Sequence, residues 1–220
     1  MIKAFLLVLD PAATWDGIVA AKRKWPAILL GYLLPLWLIG ALAEGYGMVH
    51  WGKPHGIVSL MKQFSISTAL IFQIIQLVLF TLVVFLGAKI IKGLGETFHG
   101  RNTFNQAFTV TAFGLGPVFT LHILDIFPSV SGWLYWALWI AGILMMMAIL
   151  YHGVPKVMLP DPPHAFGLYL TTTLLLAMIS GLVRFLTFCY VEGKFVKLDM
   201  LMAKIIEHLP ILQALDRHHF

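Results

Sequence analysis

Apolar side chains run along this chain in long unbroken blocks, and short polar passages separate the blocks. Stretches without Asp, Glu, Lys or Arg cover Trp25 to Ala43, Gln63 to Ala88, Asn102 to Leu124, Ile126 to Pro155 and Pro162 to Val183. Each reaches the roughly 18 to 20 apolar residues a helix needs to cross a hydrocarbon core of about 30 Å. The fourth does so only by including IFPSVSG, whose Pro, Ser and Gly mark a turn before a helix that starts near Trp133. The pattern predicts five spans, at about 25–43, 66–88, 106–124, 133–151 and 165–188. A membrane barrel would alternate polarity over short segments, whereas these blocks are apolar on all sides. The expected fold is all-α: a polytopic membrane helix bundle of five transmembrane helices, with amphipathic surface helices at its N- and C-terminal ends.

The ends of the chain keep helical periodicity but mix in charge. Residues 1–24 read as a lead-in: within LDPAATWDGIVAAKRKWP, Asp10 can cap a helix, Pro11 suits its first position, and Trp15, Ile18 and Val19 share a face. The opening MIKAFLLVLD is too short in apolar residues for a signal-peptide core and is expected to be retained. Residues 192–220 space Leu198, Met202, Ile205, Leu209 and Leu212 as one face of an amphipathic tail, kinked at Pro210. Pro35 and Pro117 fall inside spans one and three, where a proline kinks a helix unless neighbours re-satisfy the backbone. The connector VPKVMLPDPPHAF, between spans four and five, reads as stiff.

Composition agrees with the pattern. Of 220 residues 60% are hydrophobic and 11% charged, against roughly 25% charged in a soluble domain; the mean hydropathy is +0.87. The net charge of +5 sits beside the spans and suits anionic lipid headgroups, so no nucleic acid partner is expected. Lys3, Lys22, Arg23, Lys24, Lys89, Lys92, Arg101 and Lys156 fall on one side, against Lys53 and Lys62 in the short loops opposite. That asymmetry predicts a cytoplasmic N-terminus and, with five spans, a C-terminus across the membrane, although Lys194, Lys197, Lys204 and Arg217 follow the last span. Trp25, Trp51 and Trp133 are placed to form interfacial belts. Cys189 is the single cysteine, which leaves no intramolecular disulfide and no multi-cysteine metal site.

The longest polar passage before residue 120 is GLGETFHGRNTFNQAF, Gly93 to Phe108. Its glycines, Gly93, Gly95 and Gly100, match neither a dinucleotide fingerprint nor a Walker loop, and they follow a membrane helix instead of a strand. They are expected to end span two, with Lys89, Lys92 and Arg101 at the headgroups. A Gly-rich turn, then TFNQAF leading into a span with a midway proline (VTAFGLGPV), then a span ending YHGVP, resembles the Yip family, the Ypt/Rab-interacting proteins and their prokaryotic relatives. LDPAATWDGI before the first span and the five-span plan add to the likeness, which runs from about Asp10 to Thr187. On this chain the family turn falls on Gly95, His99, Gly100, Phe104, Gln106 and Pro117. Where the family often has Gly-Gly, this chain has His99-Gly100. The resemblance implies a polytopic membrane protein without catalytic residues, placed in a bacterial inner membrane. Its eukaryotic members are associated with membrane traffic and Rab-type GTPases through cytosolic segments that this chain barely possesses.

Polar residues at membrane depth carry the candidate chemistry, because ionisable groups there are costly and face a partner or a cavity. Gln73, Gln76, His122, Asp125 and Arg184 all fall in one half of the bilayer under the expected topology. Gln73 with Gln76, and His122 with Asp125, are three apart and share helix faces. An ion pair between Asp125 and Arg184 is expected; helix packing, an ion or small-solute site, and interfacial placement all fit the cluster. The histidine spacing predicts no metal centre and no cofactor, leaving only His99, His152 and His164 on the cytoplasmic side as an adventitious trio. Ser180 and Cys189 in span five have no evident base, so catalysis is not expected. The functional expectation is a non-enzymatic organiser or adaptor in contact with membrane lipids and with other membrane proteins or itself. A small transporter or channel subunit, and an accessory subunit of a larger complex, are the alternatives.

Overall fold

The computed structural model describes residues 2–55, 60–101, 103–127, 132–195, 200–201, 204–205 and 207–208. Two short helices, α1 (Ile2–Leu9) and α2 (Pro11–Ala20), lead into five helical passages long and apolar enough to cross a bilayer. The first passage, Trp25–His50, joins α3 (Trp25–Ile28), a π-helical turn (Leu29–Leu33) and α4 (Leu34–His50). A two-stranded hairpin, β1 (Lys53–His55) with β2 (Leu60–Lys62), returns the chain to α5 (Ile66–Thr97), the second passage. Span three is α6 (Phe104–Gly114), α7 (Gly116–His122) and a 3-10 turn (Ile123–Ile126). Spans four and five are α8 (Gly132–Met158) and α9 (Ala165–Val191), the latter entered through the 3-10 turn Pro162–His164.

Bonds between chain ends show how the spans alternate. On the face that carries the N-terminus, the Trp25 N–H donates to the Asn105 side chain and the Arg101 N–H donates to the Met158 carbonyl. On the far face the Phe64 N–H donates to the Met48 carbonyl at 3.1 Å, closing the hairpin. The strands pair antiparallel with Lys53 opposite Lys62. Span three is the central one, buried without a break from Ala107 to Pro117. The outer helices turn large apolar side chains outward every fourth residue, Ile74, Val78, Leu82 and Leu86 on α5 and Leu170, Leu174, Met178 and Leu182 on α9. In water such stripes would be a liability; against acyl chains they leave van der Waals packing and small residues to hold the bundle.

The prolines act as their backbone chemistry requires. Pro35 has no N–H to offer the Gly31 carbonyl, and the chain takes the π turn immediately before it, the Leu34 N–H reaching Leu29. Pro117 opens α7 after α6 stops at Gly114. At this break span three meets span one so closely that a Cβ on Gly116 would overlap the Tyr32 hydroxyl. Pro155 lies inside α8, so the connector expected to be stiff contributes a helical turn to span four and shortens to the few residues after Met158.

Several elements differ from the expectation. The helices run past the charges at which the apolar runs stop: span one continues to His50 and span two to Thr97. Gly93 and Gly95 therefore do not end α5. The lead-in is two helices, and α2 is docked on the bundle: Trp15 is fully buried and its indole N–H donates to the Ile149 carbonyl at 2.9 Å. A Cβ on Gly153 of α8 would overlap that indole. The helix is capped by Asp10, whose carboxylate accepts from the Ala13 N–H at 3.1 Å, and is tied by Lys156 to Asp16 at 2.6 Å. Trp25 packs edge-on against Phe85 and Phe104, inside the bundle's aromatic cluster. The Trp133 side chain and the tail residues Leu198, Met202, Leu209, Pro210 and Leu212 lie outside the described residues. If α2 is anchored through Trp15, Trp15→Ala should cost about 3–5 kcal/mol and Trp15→Phe only about 1 kcal/mol for the lost hydrogen bond. Reversible unfolding in mild detergent measures both, and a Trp15→Ala protein as stable as the unsubstituted one would contradict the docking.

Candidate functional site: a buried charge cluster on the far side of the bundle

Span one carries its small and polar residues on one face: Gly40, Ala41, Glu44 and Gly47 recur at helical spacing and all are buried. That face lies on the end of span three. A Cβ on Gly47 would stand 2.9 Å from the Asp125 carbonyl oxygen and 2.8 Å from that of Ile126, and one on Gly40 would stand 3.0 Å from the His122 ring. The glycines let the backbones approach closely enough for Glu44 to reach the ring of His122.

Glu44 is 1% exposed and Asp125 2% exposed, and His122 stands between them. Its Nε2 is 3.2 Å from Glu44 Oε2 and its Nδ1 is 2.9 Å from Asp125 Oδ2. The 3-10 turn at Ile123–Ile126 brings Asp125 back under His122, three residues earlier. From span five, Arg184 grips Asp125 with both arms of its fork, Nη1 to Oδ2 at 2.8 Å and Nη2 to Oδ1 at 3.4 Å. Span four supports the guanidinium: Arg184 Nη2 donates to the Tyr135 carbonyl at 3.0 Å, and its carbon sits 3.3 Å over the Tyr135 ring. Span two contributes Gln73, whose Nε2 donates to Glu44 Oε2 at 3.2 Å. The hairpin contributes Lys53, 3% exposed, whose ammonium donates to the Asp125 carbonyl at 3.0 Å. The Asp125 carboxylate thus faces a guanidinium, the Lys53 ammonium closes on the Asp125 backbone, and all five spans meet at one point.

Beside the cluster lies a cavity of about 80 Å³ that every span lines, through Trp37, Gln76, Val118, Trp139 and Arg184 among others. Three buried polar atoms at this end of the bundle, Gln73 Oε1, Trp139 Nε1 and Arg184 Nε, make no hydrogen bond among the described residues. Of the polar residues expected at depth, the structure joins Gln73, His122, Asp125 and Arg184 directly, and places Gln76 on the cavity wall. Sequence reasoning missed Glu44, Lys53 and Tyr135. Glu44 is missed because a charge is taken to end a span, yet Tyr46, Met48 and Val49 resume the apolar pattern beyond it. The Glu44, His122 and Asp125 ligand atoms lie within 4.8 Å of one another, close enough for a metal, but each is already engaged by a protein partner and Arg184 occupies the open side of Asp125.

The turn residues are dispersed instead of forming a site. Gly95 is buried within α5, Phe104 packs on Trp25 and Phe85, and Pro117 marks the break in span three. Gln106 completes a capping box with Thr103 at the start of α6. His99 has φ +52 and ends α5: the Gly100 N–H returns to the Gly95 carbonyl at 2.8 Å and the His99 N–H to that of Glu96 at 3.3 Å. This is a Schellman motif with histidine at the left-handed position glycine usually fills. His99 and His164 lie near Asp161, while His152 does not join them.

Five antiparallel membrane helices joined by an internal charge cluster define an integral membrane protein of the polytopic helical class. The chain belongs to the Yip1 domain family, whose profile matches residues 5–191. Comparison with curated proteins and with solved structures finds no match.

Removing a buried acceptor leaves its donors unsatisfied at a cost of about 1–3 kcal/mol each, and Glu44 Oε2 accepts from Gln73 Nε2 and faces His122 Nε2. Glu44→Ala should lose stability on that scale in detergent unfolding. Leu42→Ala, two residues away at a side chain 73% exposed, should change it by less than about 0.5 kcal/mol. Similar values for the two variants would remove Glu44 from the cluster.

Proposed function

We propose that this Yip1-domain protein is a non-enzymatic membrane organiser that works through contacts of its helix faces with lipids and with other membrane proteins or further copies of itself. The observation that carries this reading is the pairing of its intramembrane charges. Glu44, His122, Asp125 and Arg184 hold one another and Lys53 closes on the Asp125 backbone, so they fix helix positions and leave outward apolar stripes such as those of α5 and α9 to meet the surroundings. The candidate nucleophiles fit the same reading: Ser180 donates its hydroxyl to the Ala177 carbonyl at 3.2 Å, and Cys189 is buried. The excess of Lys and Arg on the N-terminal side supports a cytoplasmic N-terminus, and the likeness to prokaryotic relatives supports a bacterial inner membrane. A photo-crosslinking residue placed at Val78 and at Met178 in native membranes tests the contacts. Discrete protein adducts confined to one of the two stripes are expected; monomer and lipid adducts alone, at both positions, would contradict the reading.

The cavity lined by Gln76 and Arg184 favours a second reading, a small-solute carrier. In a Cys189→Ser background, Gln76→Cys separates the two. A packed structural core leaves the new thiol inert to a membrane-impermeant thiosulfonate reagent, and a solute path lets it react within minutes.

A further inference from the structure

On the N-terminal side of the bundle, away from the charge cluster, two connectors are clamped together by the backbone. The Arg101 N–H donates to the Met158 carbonyl, and Gly100 lies so close to span four's end that a Cβ on it would stand 3.0 Å from the Met158 oxygen and 3.4 Å from Pro160. The clamp brings His99, at the end of α5, beside Asp161 and His164, at the entry to α9. Their side chains offer two imidazole nitrogens and a carboxylate oxygen, all within 4.8 Å of one another. The imidazole rings of His99 and His164 are 5.5 Å apart.

Three features separate this group from a chance meeting of polar side chains. His99 occupies a left-handed backbone position, φ +52, that a glycine would take without a Cβ penalty. A side chain is kept there, and it faces His164. The Nδ1 of His164 is buried and has no hydrogen-bond partner among the described residues. The backbone N–H of His164 donates to the Asp161 carbonyl at 2.8 Å, which fixes the turn that carries both residues, and Phe98 meets the imidazole ring edge-on at 6.3 Å. His99 and Asp161 are exposed, so an ion from solution has a direct path to the group.

We propose that His99, Asp161 and His164 form a binding site for a divalent transition-metal ion of the zinc type, which clips the connector between spans two and three to the connector between spans four and five. Two imidazoles and one carboxylate match zinc and its borderline neighbours; magnesium and calcium take oxygen ligands in larger number. Ligand atoms around tetrahedral zinc stand about 3.3 Å apart, so the present spacing closes by rotation of exposed side chains, and water completes the shell.

The test is a zinc titration of the full-length protein in mild detergent after removal of metals by chelation, followed by calorimetry and by the melting temperature. The companion variants are His99→Gly, His164→Gln and Asp161→Asn. His99→Gly suits the backbone at its position, so its metal-free melting temperature should equal or exceed that of the unsubstituted protein, which separates loss of a ligand from loss of the fold. The unsubstituted protein should bind one zinc ion with a rise in melting temperature. His99→Gly and His164→Gln should each weaken binding by more than the roughly tenfold that loss of even an outer-shell partner costs. Cobalt bound in place of zinc should give visible absorption that disappears in His99→Gly. No zinc uptake, or uptake and thermal shift equal in His99→Gly and the unsubstituted protein, would overturn the proposal.

Discussion

A carboxylate and a guanidinium buried in a membrane bundle cannot be left to water, and the Asp125 to Arg184 pair is the constraint around which the far half of this protein is arranged. Taking two ions out of water costs several kcal/mol each, offset only where geometry and further hydrogen bonds are good. Both conditions are met. The guanidinium makes two contacts with the carboxylate, a third with the Tyr135 carbonyl and a fourth with the Tyr135 ring, while Lys53 and His122 reach Asp125 from the other sides. Because these groups come from span three, span four, span five and the hairpin, satisfying the charges also sets how those elements stand against one another.

The rest of the packing follows from what a bilayer withholds. Lipid tails are as apolar as leucine, so burying leucine against leucine gives little drive for association, and close backbone approach has to supply the contact. Gly40 and Gly47 over the end of span three, Gly116 against Tyr32, and Gly153 beneath Trp15 are four places where a methyl group would force the chains apart. The π turn before Pro35 and the break at Gly116 bend spans one and three around these contacts. Span three, buried without a break from Ala107 to Pro117, becomes the axis on which the others lean.

Continuous apolarity makes the five spans and their order readable, and the match to the Yip1 domain over residues 5–191 agrees with the family resemblance. Topology alone puts Asp125 and Arg184 in the same half of the bilayer, and a three-residue spacing puts His122 over Asp125. Glu44 was hidden by the rule that a charge closes a span; the rule fails wherever the charge has a partner inside. Lys53 was hidden because only the hairpin's fold turns it inward. Gly93 and Gly95 look like helix terminators, but a helix ends where its last carbonyls find donors, and that happens at His99 and Gly100. Trp15 reads as one face of a surface helix, and nothing local to it reveals that Gly153, far along the chain, leaves a space of its shape.

Asp125 and Arg184 act as one unit, and a double-mutant cycle measures the coupling between them. Asp125→Asn, Arg184→Gln and the combined variant would be unfolded reversibly in the same detergent. Each single substitution should lose about 3–5 kcal/mol, and the double variant should be less destabilised than the sum by at least about 1 kcal/mol. Single variants as stable as the unsubstituted protein, or losses that simply add, would contradict that coupling.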